Sequence, residues 1–227
     1  MLGTGSEADP FRIGLTSLQL MERYIVVQND PDLTTLIHLD CTHGVVKQKY
    51  PVFVVGISDC AGGFLPIVYY CASQRRGVDI SWCLAFLKRV VFSEIQVRFK
   101  PDFVMMDADK AQYNACAAEL PETTVLMCWF HVTQNVHKYA DENGLDGVSR
   151  PLLFRNLYDL HFAPDEDSYM QKRAFVIASW NGASLCVPDS NHIIKTWFLD
   201  PRFSKWQAYH TPTGYAATNN PLETYHY

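Results

Sequence analysis

The chain has 227 residues and a formal net charge of −5 at pH 7. Its 48% hydrophobic and 19% charged residues support a buried core and exclude a natively disordered chain. No apolar run approaches the roughly 20 residues that cross a bilayer, and the acidic balance excludes binding to nucleic acid by bulk charge alone.

Residues 1–12 read as a loosely attached polar tail without the apolar core of a signal peptide. Over 16–26, Leu18, Leu20, Met21, Tyr24 and Ile25 fall mostly at helical spacing, and Asn29-Asp30-Pro31-Asp32 then breaks the chain. Strands are predicted over 36–40, 52–58 and 64–72, with Gly62-Gly63 turning the last pair. Short links between them predict an antiparallel meander.

Gly77-Val78-Asp79 opens a helix with Asp79 as its N-cap. Ile80, Cys83, Leu84, Leu87, Val90 and Val91 then keep a 3.6-residue period, so one face packs on the sheet. A strand over 103–107, a helix over 110–120, a strand over 125–128 and a helix over 129–139 follow. That alternation predicts parallel pairing.

After a polar loop at 141–147 the patterns turn wholly helical. One uses Leu153, Leu157 and Leu160, and one from Asp165 uses Tyr169, Arg173, Val176, Ile177 and Trp180. A shorter one uses Ile193, Ile194, Trp197 and Phe198. Residues 148–210 therefore read as an all-helical insertion. Asn219-Asn220-Pro221-Leu222-Glu223 begins a last helix of barely one turn, with Asn220 as its N-cap. The organisation expected is a tail and helix over 1–34 and an α/β core over 35–227. The seven cysteines are odd in number and scattered among apolar residues, as expected of reduced, buried thiols in an intracellular protein.

Two apolar runs end in a carboxylate: Leu36-Ile37-His38-Leu39-Asp40 and Phe103-Val104-Met105-Met106-Asp107. Parallel strand order can bring both acids to one sheet edge, where paired carboxylates hold divalent cations. Each acid alone has a plainer reading. Asp40 can form a local turn, Asp109 suits the N-cap of the helix at Lys110, and Glu223 suits a capping box. Cys128 and His131 lie three apart around a helix start, a spacing that could give two zinc ligands. A structural zinc site needs four, and only His137 and Cys116 stand as recruits. A buried Cys beside a His satisfied in the core is the other reading. No glycine-rich phosphate loop and no Gly-x-Ser-x-Gly elbow is present.

Leu39-Asp40-Cys41-Thr42-His43-Gly44 resembles the first catalytic block of Mutator-like (MULE) transposases, and Met106-Asp107-Ala108-Asp109-Lys110-Ala111-Gln112 resembles their second. Cys128-Trp129-Phe130-His131 with Asn135 resembles their Cys-x-x-His motif. Thr218-Asn219-Asn220-Pro221-Leu222-Glu223 resembles the block that carries their third acid. The resemblance covers roughly residues 35–227.

It implies a ribonuclease-H-like fold: a five-stranded mixed sheet flanked by helices, its first three strands antiparallel, with the helical insertion before the last helix. It implies a DNA transposase core that cuts DNA and transfers strands in the nucleus. Asp40, Asp107 and Glu223 would hold two Mg²⁺ (or Mn²⁺) ions, without zinc, while Cys128 and His131 would organise the site or touch DNA. DNA would be the partner, and a homo-oligomer is left open. No separate DNA-binding zinc module is legible.

Cys41 and His43 depart from the family pattern, which more often has a small residue and an aromatic there. The last helix is cut just after Glu223, so little helix of its own supports that acid. Two other functions stay open: an inactive transposase-derived module that binds DNA or protein, and a ribonuclease-H-like nuclease that cuts without joining.

Overall fold

The computed structural model describes residues 2–42, 44–181 and 190–225; His43, Cys186 and the side chains of Asn181, Ser190, Glu223 and Tyr225 lie outside the described residues. The chain divides into two units, Met1–Val125 with Gly214–Tyr227, and Leu126–Thr213.

The first unit is built on a sheet. In chain order it holds β1 (Arg12–Leu15), α1 (Leu18–Asn29), β2 (Leu36–Thr42), β3 (Val52–Ser58), β4 (Phe64–Ala72), α2 (Gly77–Ile95), β5 (Phe103–Met106) and α3 (Lys110–Glu119). Strand β6 (Thr124–Met127) starts in it. The strands run in the order β1-β4-β3-β2-β5-β6. β2, β3 and β4 form the expected antiparallel meander, and β2 pairs with β5 in parallel.

The sheet has six strands, not five, and the addition is β1. It pairs antiparallel with β4, from Arg12 opposite Ala72 to Leu15 opposite Tyr69. The tail is thus tied down: Phe11 N donates to Ser73 Oγ and Ser73 N to Phe11 O. Gly14 explains why the strand is hard to read. A side chain there would meet the Phe86 ring at 2.6 Å, so the strand carries a glycine where a β-former would otherwise mark it.

β2 is buried along Leu36, Ile37, His38 and Leu39, so apolar residues run unbroken except for the histidine. α1 and α2 both pack on β4, and α3 packs on α2 and β5. α2 buries Ile80, Cys83, Leu84, Leu87 and Val91, the face its period predicts. Each such aliphatic side chain contributes about 1.5–3 kcal/mol on full burial. Asp79 is not the N-cap of α2. It is the third residue of the helix, and its carboxylate reaches back to accept from Arg76 N at 3.1 Å. The fully buried carboxylate also takes Arg12 Nη2 at 2.5 Å and Arg76 Nε at 3.1 Å, which secures β1 to the helix start.

Of the six described cysteines only Cys83, Cys116 and Cys128 are buried; Cys60 is exposed in the β3–β4 turn. α8 (Asn220–Tyr225) closes this unit and lies against β3 and β4. Leu222 is fully buried and anchors it.

The second unit, after the end of β6, is helical: α4 (Trp129–Glu142), α5 (Ser149–His161), α6 (Glu166–Asn181) and α7 (Ser190–Ile193). Ile194–Leu199 is π-helical rather than a continuation of the α-helix expected there. Trp129 stacks on His161 at 4.1 Å and on Trp206 at 5.3 Å, and Trp206 Nε1 donates to Trp197 O. Among the described residues, no helix is long and apolar enough to cross a membrane.

Candidate active site

The last registered pair between β2 and β5 is Leu39 with Met106. The next residues are Asp40, which is still inside β2 because that strand runs on to Thr42, and Asp107, which directly follows β5, so the two acids come next to each other in the parallel register. Adjacent strands lie about 4.8 Å apart. At the other end of the pairing, Asp102 Oδ2 accepts from Thr35 N at 2.9 Å and from Thr35 Oγ1 at 2.7 Å, while Asp102 N donates to Thr35 Oγ1 at 2.8 Å. That clasp fixes the register that puts the acids together.

Cys41 N–H donates to Asp40 Oδ1 at 2.6 Å, which orients that carboxylate. Asn219 Nδ2 donates to Asp107 Oδ1 at 3.2 Å. Asn219 Oδ1 meets His38 Nδ1 at 3.0 Å, and His38 Nε2 meets Ser58 Oγ at 2.8 Å. Asn219 and His38 are fully buried and Ser58 nearly so. Burial pushes the imidazole of His38 down to about 4, the bond that Nδ1–H donates to Asn219 Oδ1 offsetting it only in part. Gly56 stands opposite His38 in the β2–β3 register, at a bulge. A side chain there would strike Leu65 O and the Phe64 ring, both at 2.4 Å, so the ring keeps its place beside His38 only because the position is glycine.

Burial, with the charges of Asp40 and Asp107, drives the Cys41 thiol up to about 12 against the opposing pull of Arg75. It stays protonated and is no nucleophile.

Glu223 lies in α8, one residue after the buried Leu222, with its side chain outside the described residues. Among the described residues no group of three or more His, Cys, Asp or Glu converges. Asp109 caps α3 as expected, accepting from Gln112 N at 2.9 Å. In the second unit, Cys128 is the buried residue before α4, and His131 is the third residue of that helix. His137 is committed elsewhere, accepting from Arg150 Nη2 at 3.1 Å and stacked on Phe154 at 3.9 Å.

The residues the motif reading missed are His38, Ser58 and Asn219. One signal could have found the first: a histidine inside an otherwise apolar buried strand needs partners. Chemically, the donor set at the strand ends is carboxylate oxygen, which suits a hard divalent cation such as Mg²⁺ or Mn²⁺ rather than a thiolate-preferring metal.

Residues 36–135 match the family model described as MULE transposase domain, from β2 into α4. The match includes Asp40, Asp107, Cys128 and His131 and stops short of the 218–223 block. No curated protein matches the chain.

Proposed function

We propose, from the MULE transposase match over residues 36–135, that this chain carries a DNA transposase core that cuts and joins DNA through Asp40, Asp107 and Glu223. The observation that carries the reading is the in-register pairing of β2 with β5, inside the matched segment, one residue short of both acids. The antiparallel β2–β3–β4 meander beside a parallel β5 supports a ribonuclease-H-like core, to which β1 is an added edge strand.

Asp40 and Asp107, with Glu223, would hold two Mg²⁺ or Mn²⁺ ions, which supply activation of a water or a DNA 3′-hydroxyl and stabilise the leaving oxygen. The chain's own part is positional. Cys41 N–H holds Asp40, and Asn219 holds Asp107 while leading the chain into the helix of Glu223. Preorganised carboxylates matter because misplacement by about 1 Å costs on the order of 10²-fold in rate. Cys128 and His131, which the family match includes, would have a structural or DNA-contact role. DNA is the partner and the nucleus the place of action on this reading.

The test is calorimetric titration with Mn²⁺ and Mg²⁺ of the wild type, Asp40→Asn, Asp107→Asn and Glu223→Gln, paired with nicking of supercoiled plasmid. Saturable binding and metal-dependent nicking that all three substitutions abolish is the expected result. A folded wild type that binds neither ion overturns the reading. An inactive transposase-derived module that binds DNA or protein would then replace it.

A further inference from the structure

Ser58, His38, Asn219 and Asp107 form a continuous buried chain of hydrogen bonds, drawn from β3, β2, the segment before α8 and the end of β5. Its direction follows from chemistry. Asn219 Nδ2 donates to Asp107 Oδ1. That leaves Asn219 Oδ1 to accept from His38 Nδ1–H. With Nδ1 as the donor, Nε2 is left to pair with the Ser58 hydroxyl at 2.8 Å.

We infer that His38 and Asn219 are positioning residues: together they orient the Asp107 carboxylate and latch the segment leading to Glu223 onto the same strand that carries Asp40. The inference deepens the proposed function and rests on it for its metal readout only. Three separate parts of the chain meet in this link. His38 lies two residues before Asp40, Asn219 four before Glu223, and the bond between them spans 181 positions. A latch of this kind gives the segment before α8 a defined place beside β2 and Asp107. It also explains a histidine among the buried apolar residues Leu36, Ile37 and Leu39 of β2. An apolar residue at 38 would pack as well but would remove the bond between His38 and Asn219 that helps to hold the Asn219 amide towards Asp107.

The test uses the full chain with ¹⁵N-labelled histidine and asparagine. The wild type should show His38 protonated on Nδ1 alone, and an Asn219 side-chain amide resonance that moves in Asp107→Asn. His38→Asn keeps a donor where Nδ1 stands, whereas His38→Leu and Asn219→Ala do not. Mn²⁺ affinity should stay within about threefold of wild type in His38→Asn and fall at least tenfold in the other two. A purely structural role would lower thermal stability in all three without separating them in Mn²⁺ affinity. A proton on His38 Nε2 alone, an Asn219 amide blind to Asp107→Asn, or wild-type Mn²⁺ affinity in Asn219→Ala each overturns the inference. If the wild type binds no Mn²⁺, the proposed function fails and the resonances alone decide: Nδ1–H on His38 with the coupled Asn219 shift upholds the latch, and their absence overturns it.

Discussion

Thr35 and Asp102 clasp each other through three hydrogen bonds at the start of β2 and β5, upstream of Asp40 and Asp107. The two residues are 67 positions apart, the same separation as the two acids. The clasp therefore sets the pairing register that the acids inherit. In a sheet, a slip by one residue sends every side chain to the other face.

Asp102→Ala removes the exposed carboxylate that accepts two of these bonds from the buried Thr35. It should cost about 2–3 kcal/mol, and Thr35→Val, which keeps the backbone bond, about 1 kcal/mol. Urea unfolding measures both. A loss below about 0.5 kcal/mol in Asp102→Ala would mean that strand pairing alone holds the register.

The carboxylate of Asp79 is fully buried between Arg12 and Arg76. Arg12→Ala leaves that charge short of a partner and should destabilise the first unit by about 2–4 kcal/mol. Burial alone would raise the carboxyl, but the bonds from Arg76 and Arg12 outweigh it and hold the group below its ordinary value of 3.8. The stabilisation is thus present at neutral pH and fades as pH falls below about 4. Asp79→Asn should flatten that acid loss in unfolding midpoints taken between pH 5 and pH 3.

His161 lies under the Trp129 ring and its Nδ1–H donates to Trp206 O at 2.8 Å. Burial lowers its pKa from 6.5 to about 4, the Trp206 bond opposing only in part. The unfolded chain takes up this proton near 6.5 and the folded one not until about 4. Stability is therefore full above about 6.5 and is lost as pH drops towards 4, by at most about 3 kcal/mol for this residue. Denaturation at pH 7 and pH 4.5, followed by tryptophan fluorescence, should show a smaller drop in His161→Gln than in the wild type.

Leu222 is the buried anchor of α8. Leu222→Ala should weaken the docking of this segment by about 2–4 kcal/mol. Because α8 has six residues, it should open locally rather than unfold the sheet. Hydrogen exchange over 219–225 should speed up at least tenfold, with the urea midpoint of the first unit nearly unchanged. Equal exchange in both proteins would show that Leu222 does not hold the segment.

The strand pattern over 36–40, 52–58, 64–72 and 103–107 was legible because each stretch states its own burial within a few residues. The α2 face was legible for the same reason, as were Asp40 and Asp107, each the first charge after an apolar run. The cap at Asp109 is local and was read correctly. Asp79 was assigned to the wrong place in its helix because Arg12, 67 positions earlier, shares its carboxylate. β1 has four residues and a glycine pressed against Phe86, so its strand character exists only once α2 is in place. A histidine among buried apolar residues signals that His38 needs a partner, but that the partner is Asn219 has no local trace. A hydrogen bond between groups 181 positions apart depends on where the chain has been folded, and only burial makes it compulsory.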